Sequence, residues 1–505
     1  MTPAFLLNGL RTHLDESLSR KNTLSGRSRS RFLFDRITQG AGSSSLAGII
    51  TLNILDSRGD NSSIVGVLAH SMRLLQHRGK AYWKMVVGNN TSSSEGSLPY
   101  DDTIIKIAHK EKLCGSSAIG YLSKRSPQFH SFSTIPVALD GFFVDTEKLY
   151  LHPEIGQARD SDSLFKVCHI FTKLLINKRY PERAVQFLDR HLRGNLILKV
   201  ENDIYAYRNS TGFKPLVSAT CKERTLNMIA SENSLRTSFV EMDFQDVKPG
   251  QLVRLNGDTG LDVVTQLPNA TTMIDPFEFI RESHVASTLN GRSLYSIRKD
   301  IGKEQANFLS KDLDIESAFA EPDYARPMGL GFNIEFQKQY RNFELSEGII
   351  KDRYDDSDHM IDFSEQVSKN KLLSTGKSLK FVIGGLVNNR KVATIQGTIQ
   401  TGGTAKETIH YLRHAGAKRI DVIVSYVVTI DGRQVGLYTH NRDFTANKFV
   451  GEVTNINNLN KKIAKEIGAD AVYYNSPEIL ARGIGIPEHE LWFPEWVRFL
   501  DYQAT

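Results

Sequence analysis

The chain has 505 residues, 40% of them hydrophobic and 24% charged, with a formal net charge of +6. That length allows two or three domains with a sizeable core, and so small a charge gives no ground for a nucleic-acid partner without a clustered basic patch. Cys114, Cys168 and Cys221 lie too far apart in sequence for a disulfide framework or a zinc spacing, and no apolar run reaches membrane-spanning length; a cytoplasmic protein without a membrane partner is expected.

Residues 1–45 differ in composition from the rest. Between Ser17 and Phe34 the segment carries Arg20, Lys21, Arg27, Arg29 and Arg31 among serines and has no acid. Asp15, Glu16 and Asp35 flank it and argue against an organelle transit peptide, so a basic arm packed on its own protein or on a partner is expected. From Leu46 the chain reads as short β-rich runs: Ala47–Leu52, Ala81–Val87, Thr103–Ala108, Ser117–Leu122 and Thr134–Ala138. Helical periodicity places Leu68, Met72 and Leu75 on one face of Ile64–His77, and Leu164, Val167, Phe171 and Leu175 on one face of Ser163–Asn177. Further β-rich runs follow at Gly194–Val200, Tyr205–Arg208, Leu226–Ala230 and Gln251–Leu255. Ser43–Ser45 and Thr91–Ser94 read as low-complexity loops. The first half is therefore an α+β layered domain, with boundaries at 46–270.

A helix over Ser293–Leu309 follows, and strands then alternate with helices to about Thr454, as in a doubly wound α/β domain over 271–455. Within it, the stretch from Lys391 to Gly416 opens on a short β-rich run, a loop of Thr and Gly leads on, and a helix follows with apolar side chains at Ile409, Leu412 and Ala415. A second β-rich run spans Ile420–Val428. A Thr/Gly loop feeding a helix N-terminus suits a phosphate, although an ordinary βα turn has the same composition. Residues 456–505 form a helical and aromatic tail, with Trp492–Leu500 expected to cover the core or dock a neighbouring subunit.

The loop Ile395-Gln-Gly-Thr-Ile-Gln-Thr-Gly-Gly-Thr404 resembles the phosphoribosyl-diphosphate loop of the amidophosphoribosyltransferase family. Leu74-Leu-Gln-His-Arg-Gly79, Tyr207–Leu216, Ile229-Ala-Ser-Glu232 and Val247-Lys-Pro-Gly250 are similar to motifs of that family's first domain. Ser293–Gly302, Glu347–Tyr354 and Ile467–Asp470 are similar to motifs of its second. The resemblance implies an N-terminal-nucleophile-type glutaminase domain, layered α/β/β/α, followed by a doubly wound phosphoribosyltransferase-type domain. It also implies purine biosynthesis and an oligomer.

The same resemblance shows what has changed. Ala47 occupies the position of the nucleophilic cysteine, and a methyl group cannot attack an amide, so no catalytic residue is assigned there. Asp140-Gly141 stands where the family has the oxyanion Asn-Gly, a carboxylate of the wrong sign for that task. Ser123 replaces an arginine that holds the substrate carboxylate, with Arg125 facing the same side, while Asp160 keeps the family's ligand for the substrate amine. Arg78, Ser123, Asp140, Gly141 and Asp160 thus form a vestigial glutamine pocket. In the second domain, the paired acids that hold the ribose hydroxyls are Gln396 and Gly397. The pyrophosphate loop is Pro322-Asp-Tyr-Ala-Arg326, in which Tyr324 is expected to obstruct the diphosphate. Thr398, Thr401, Gly402, Gly403, Thr404, Asp323, Arg326 and Lys351 remain as a phosphate or nucleotide site.

The acidic run Asp355-Asp356-Ser-Asp358-His359 reads as a solvated loop before it reads as a metal site. Mg²⁺ is implied only with bound phosphoribosyl diphosphate. Met273 stands at the first position of the family's iron–sulfur ligand set, so no cluster is expected. The leading expectation is a pseudoenzyme that binds a purine nucleotide such as AMP or GMP and oligomerises with itself or with an active paralogue. The alternatives are a phosphoribosyltransferase that uses ammonia or has altered chemistry, and a scaffold acting through its basic arm and aromatic tail, RNA being one partner to test.

Overall fold

The computed structural model describes residues 44–45, 47–54, 63–124, 136–176, 181–221, 226–256, 260–268, 270–351, 380–435 and 444–502. The basic arm before Ser44, Arg125 and the acidic run from Asp355 to His359 lie outside these residues.

The first half is built on strands β1 (Ser44–Ser45), β2 (Ala47–Ile54), β3 (Tyr82–Val87), β4 (Asn90–Glu95), β5 (Ser117–Ser123) and β6 (Val137–Phe143). It continues with β7 (Leu192–Val200), β8 (Asp203–Arg208), β9 (Val217–Cys221), β10 (Leu226–Ala230), β11 (Met242–Asp246), β12 (Gln251–Asn256) and β13 (Gly260–Gln266). These form two antiparallel sheets, one in the order β11-β9-β10-β2-β5-β3-β4 and the other β1-β6-β7-β8-β12-β13. Strand β2 is buried on both faces, which is why it reads as an unbroken apolar run. Ala47 and Ile49 face the space between the sheets, whereas Ile50 and Leu52 pack beneath helices α1 (Ser63–Leu74) and α2 (Asp101–Lys110). Helices α3 (Ser163–Ile176) and α4 (Pro181–His191) join the core on the far side of the six-stranded sheet, through residues such as Leu164, Phe171, Val185 and Leu188. The result is an α/β/β/α stack.

The second half centres on a parallel sheet of β16 (Ser317–Ala320), β19 (Lys391–Gln396), β20 (Arg419–Val424) and β21 (Ala471–Tyr474), paired in that order. Two short antiparallel strand pairs flank it: β14 (Thr288–Leu289) with β15 (Arg292–Ser293), and β17 (Ile349–Lys351) with β18 (Lys380–Val382). Helices α5 (Leu294–Leu309) and α6 (Arg326–Gln339) cover one face of the sheet through Ala306, Leu309, Phe332 and Phe336. After the four-residue α7 (Gly384–Val387), helix α8 (Gly403–His414) and helix α9 (Ile456–Ile467) contribute Ile409, Leu412, Leu459 and Ile463 to the main core. The chain ends in α10 (Pro477–Ile484) and α11 (Glu495–Phe499).

Two features tie the halves together. The segment from Met273 to Ser287, with one turn of π-helix at Glu278–Glu282, lies against the first half: Asp275 N–H donates to Phe213 O at 3.0 Å and Met273 N–H to Thr211 O at 3.0 Å. In the tail, Trp492 N–H donates to Ile274 O, and its ring lies 5.8 Å from that of Phe213 and 6.2 Å from that of Phe142. The Arg433 guanidinium sits 5.8 Å from both the Phe142 and Trp492 rings. The aromatic tail is thus packed on its own chain, although Phe499 remains 77% exposed.

Several sequence expectations need correction. Thr103–Ala108 lies in a helix, α2, because Ile104, Ile107 and Ala108 pack together against the first half's outer core. Thr91–Ser94 is not a loop but most of β4, an edge strand whose exposed side chains give no apolar alternation. Ser44–Ser45 is likewise paired, with Phe142 and Gly141. The run from Ile420 ends as a strand at Val424, where Ser425 N–H turns to Gln396 O. Helix α4 and strands β9, β11 and β13 had no sequence expectation.

Candidate functional site

Strand β2 sets Ala47 between two partners. It pairs with Ser123 on β5, and its N–H donates to Asp140 Oδ1 on β6 at 3.3 Å. Gly141 follows with φ +145° and faces Gly194 at +130°; a Cβ on Gly141 would lie 2.1 Å from Arg193 O. Only glycine lets the two strands approach this closely, and their approach holds Asp140 beneath Ala47.

Arg78 comes from the 3₁₀ turn Gln76–Arg78 that ends α1 and is fully buried. Its Nε donates to Ala47 O at 3.1 Å, and Nη2 donates to Asp140 Oδ2 and Glu278 Oε1, both at 3.0 Å. Nη1 donates to Glu278 Oε2 at 3.1 Å and to Ser283 Oγ at 3.4 Å. A guanidinium has five N–H donors, and each here has an acceptor supplied by the protein itself.

The ionic group extends across the seam between the halves. Lys214 Nζ donates to Asp275 Oδ2 at 2.5 Å and to Glu278 Oε1 at 2.9 Å. Lys124 pairs with Glu282, and His77 with Glu232. The other Glu232 oxygen accepts from His284 N–H at 2.7 Å and Ser287 Oγ at 2.6 Å. The carboxylates Asp140, Glu232, Asp275, Glu278 and Glu282 thus surround Arg78, Lys124 and Lys214, so acids outnumber the permanent cations.

That imbalance appears in the protonation. Burial pushes the Asp140 carboxyl up to about 6, with Arg78 and Lys214 opposing and Glu278 adding to the rise. Burial likewise lifts Asp275 to about 6 against the pull of Lys214. Glu278 behaves oppositely: burial raises it, but Arg78 and Lys214 outweigh burial and hold it well below the usual carboxylate range. Glu232 is drawn down to about 2, its burial outweighed by His77 and Arg78.

Between about 4 and 6 the folded state keeps a proton on Asp140 that the unfolded chain has released, so this group's contribution to stability is lost as pH rises. Glu232 acts the other way, its contribution being lost as pH falls from the ordinary glutamate value towards about 2. Asp140→Asn should therefore flatten the decline in urea midpoint between about pH 4 and pH 6. An unchanged slope would mean that Asp140 does not carry the retained proton.

The second candidate site lies at the C-terminal edge of the parallel sheet, where α/β folds bind ligands. The loop after β19 turns into α8 at Gly402, which has φ +81°, and no side chain caps the helix N-terminus. Thr401 and Thr404 are exposed and Gly403 is half-buried. Thr398 Oγ1 lies 3.0 Å from Thr429 Oγ1, and Thr445 N–H donates to Gln400 O at 2.8 Å, which fixes the loop. Gln396 is buried, and its Nε2 has no hydrogen-bond partner.

Tyr324 reaches into this edge. A Cβ on Gly397 would lie 2.7 Å from Tyr324 Cε2, and the Arg281 guanidinium stacks 4.6 Å from the ring centroid. The cations nearby are already engaged: Arg326 lies 3.6 Å from Asp323 and 3.4 Å from Glu347, and Lys351 lies 3.9 Å from Asp323. All of these side chains are at least one-third exposed, so such pairs contribute little and exchange readily for an anion.

The structure thus brings Arg78, Ser123, Asp140 and Gly141 around Ala47, whereas Asp160 is exposed on the turn before α3, outside the buried group. Sequence reasoning missed Lys214, Glu232, Asp275 and Glu278 as members of the site. The available signal was the occurrence of isolated charges inside otherwise apolar stretches, as in Asp275-Pro-Phe-Glu-Phe-Ile280.

No family model matches the chain. Among curated proteins it is similar to the amidophosphoribosyltransferase of Methanocaldococcus jannaschii, 24% identical over 375 residues, covering 70% of this chain and 74% of that one. The amidophosphoribosyltransferase of Methanothermobacter thermautotrophicus is 22% identical over 449 residues, covering 85% and 90%. Two solved structures share the fold at 19% identity. One, described as the allosteric regulatory enzyme of purine biosynthesis, has a TM-score of 0.67 and covers 87% of this chain and 91% of its own. The other, the glutamine phosphoribosylpyrophosphate amidotransferase of B. subtilis complexed with ADP and GMP, has a TM-score of 0.63 and covers 87% and 92%.

Proposed function

The chain belongs to the amidophosphoribosyltransferase family, and we propose that within it this protein neither hydrolyses glutamine nor transfers a phosphoribosyl group, but serves purine biosynthesis as a nucleotide-binding, regulatory subunit. The observation that carries the reading is the guanidinium of Arg78. With all five donors taken by Ala47 O, Asp140, Glu278 and Ser283, it has none left for a substrate carboxylate. Beside it, Ala47 offers no nucleophile. Its N–H is bonded to Asp140, and Ser44–Ser45 of the same chain are paired in β1.

For the second half, support comes from Tyr324 beside Gly397 and from the absence of a carboxylate at Gln396 and Gly397. The loop of Thr398, Thr401, Gly402, Gly403 and Thr404 still presents backbone N–H groups at a helix N-terminus, which suits a 5′-phosphate. The solved relative holds ADP and GMP, and a purine mononucleotide is the ligand we assign to this loop. A homo-oligomer, or a mixed oligomer with an active paralogue, is the assembly in which such a subunit would act.

The test is pyrophosphate release from phosphoribosyl diphosphate with Mg²⁺, using the full-length protein beside an active family member at equal concentration. No release is expected with glutamine or with excess ammonia. Release with ammonia alone would show a working transferase half and replace the present reading with the ammonia-dependent one. Glutamine-dependent release would overturn the assignment at Ala47.

A further inference from the structure

Helix α8 carries two histidines on its outer face that neither candidate site uses. His410 and His414 are both exposed, one turn apart, with ring centroids 6.5 Å apart and ring planes within 16° of parallel. Residues at i and i+4 lie on the same face of a helix, so the two imidazoles share one patch of surface. The opposite face is fixed by buried Ala405, Thr408, Ile409 and Leu412, which makes the spacing a property of the folded protein rather than of the local peptide. The Tyr411 ring lies edge-on to that of His410 at 5.8 Å, and the polar ends of the neighbouring side chains bond to other residues. Arg413 donates to Asp470 at 2.5 Å, Lys406 to Glu466 at 3.1 Å, and Tyr411 Oη to Glu407 at 3.2 Å.

We propose that His410 and His414 form a two-imidazole site for a late first-row divalent cation. Imidazole nitrogen suits Cu²⁺, Ni²⁺ and Zn²⁺, with bonds of about 2.0–2.1 Å for zinc, and exposed rings can turn one nitrogen each toward a shared ion. Among the described residues no group of three or more His, Cys, Asp or Glu could hold a metal, so water or a small ligand completes the sphere. The ion bridges the last turn of α8, the helix that starts at the Thr/Gly loop. Binding to the folded spacing and not to the unfolded chain stabilises the native state by mass action.

Ni²⁺ is the probe of choice because Cys114 is exposed and open to oxidation by Cu²⁺. The protein should be full length, free of affinity tags, and held near pH 7.5 throughout. Titration should show one saturable equivalent, with a thermal midpoint that rises with Ni²⁺ and returns on chelation. Either His410→Asn or His414→Asn should weaken binding about a hundredfold, because the second ligand no longer acts intramolecularly. Both positions are exposed, so the variants fold, and an unchanged midpoint without metal checks this. Absence of saturable binding, or binding by both variants as tight as that of the parent protein, would overturn the proposal; the latter would place the ion on other histidines of the chain.

Discussion

Arg78→Met should lower the free energy of unfolding by about 3–5 kcal/mol, read as a fall in urea midpoint at neutral pH. The side chain is fully buried and joins Ala47 O, Asp140 and Glu278 in one cluster. Methionine fills much of the volume but leaves Asp140 without its cation and Glu278 with Lys214 alone. The cost therefore comes from stranded carboxylates rather than from lost packing. Adding Asp140→Leu to Arg78→Met should recover part of the loss, since removal of both members of a buried pair costs far less than removal of one. A midpoint for Arg78→Met within error of the parent would show that the cluster is not organised by the guanidinium. The claim that Arg78 has no donor left for a substrate would fall with it.

Because Glu278 belongs to the segment between the halves, the same ion group also acts as a seam. Arg78, Lys124 and Lys214 come from the first half, whereas Asp275, Glu278 and Glu282 come from the connecting segment. This seam explains why part of the site was hidden from sequence reasoning. Ala47, Asp140 and Gly141 could be read because each stands in a short stretch that resembles a motif of the family. The acids gathered round Arg78, Lys124 and Lys214 on the far side, from Glu232 to Glu282, show in sequence only as isolated charges; the fold brings them together.

The fold itself was most legible where burial imposes a period. Helices α1 and α3 show their apolar stripes plainly, and β2 is apolar on both faces. It was least legible at β4, whose polar side chains face solvent at a sheet edge, and at α2, where Thr103, Ile104, Ile105 and Ile107 favour a strand by intrinsic preference. In α2 the tertiary contact of Ile104 beneath the helix layer outweighs that preference. Tyr324 could be suspected as an obstruction from its size, but its fit against Gly397 required coordinates.

That fit leads to a coupling between the two positions. Gly397→Asp alone places a Cβ 2.7 Å from Tyr324 Cε2 and a carboxylate in a buried setting, so a loss of about 1–3 kcal/mol is expected from overpacking. Tyr324→Ser removes the ring and gives up its stacking with Arg281, at a cost of about 0.5–1 kcal/mol. Combined, the two changes should cost less than the sum of the singles, with a coupling of at least about 1 kcal/mol in a double-mutant cycle of urea midpoints. Additive costs would mean that the ring moves aside freely and does not restrict this edge of the sheet. The cycle also bears on chemistry. If Tyr324 fills the space beside Gly397, Gln396→Asp with Gly397→Asp should leave phosphoribosyl diphosphate binding unrestored. Tyr324→Ser added to that pair should then produce Mg²⁺-dependent binding, because two carboxylates would stand at the end of β19 with room for the ligand between them. Binding by the pair while Tyr324 remains would assign the present state of the site to the missing acids alone.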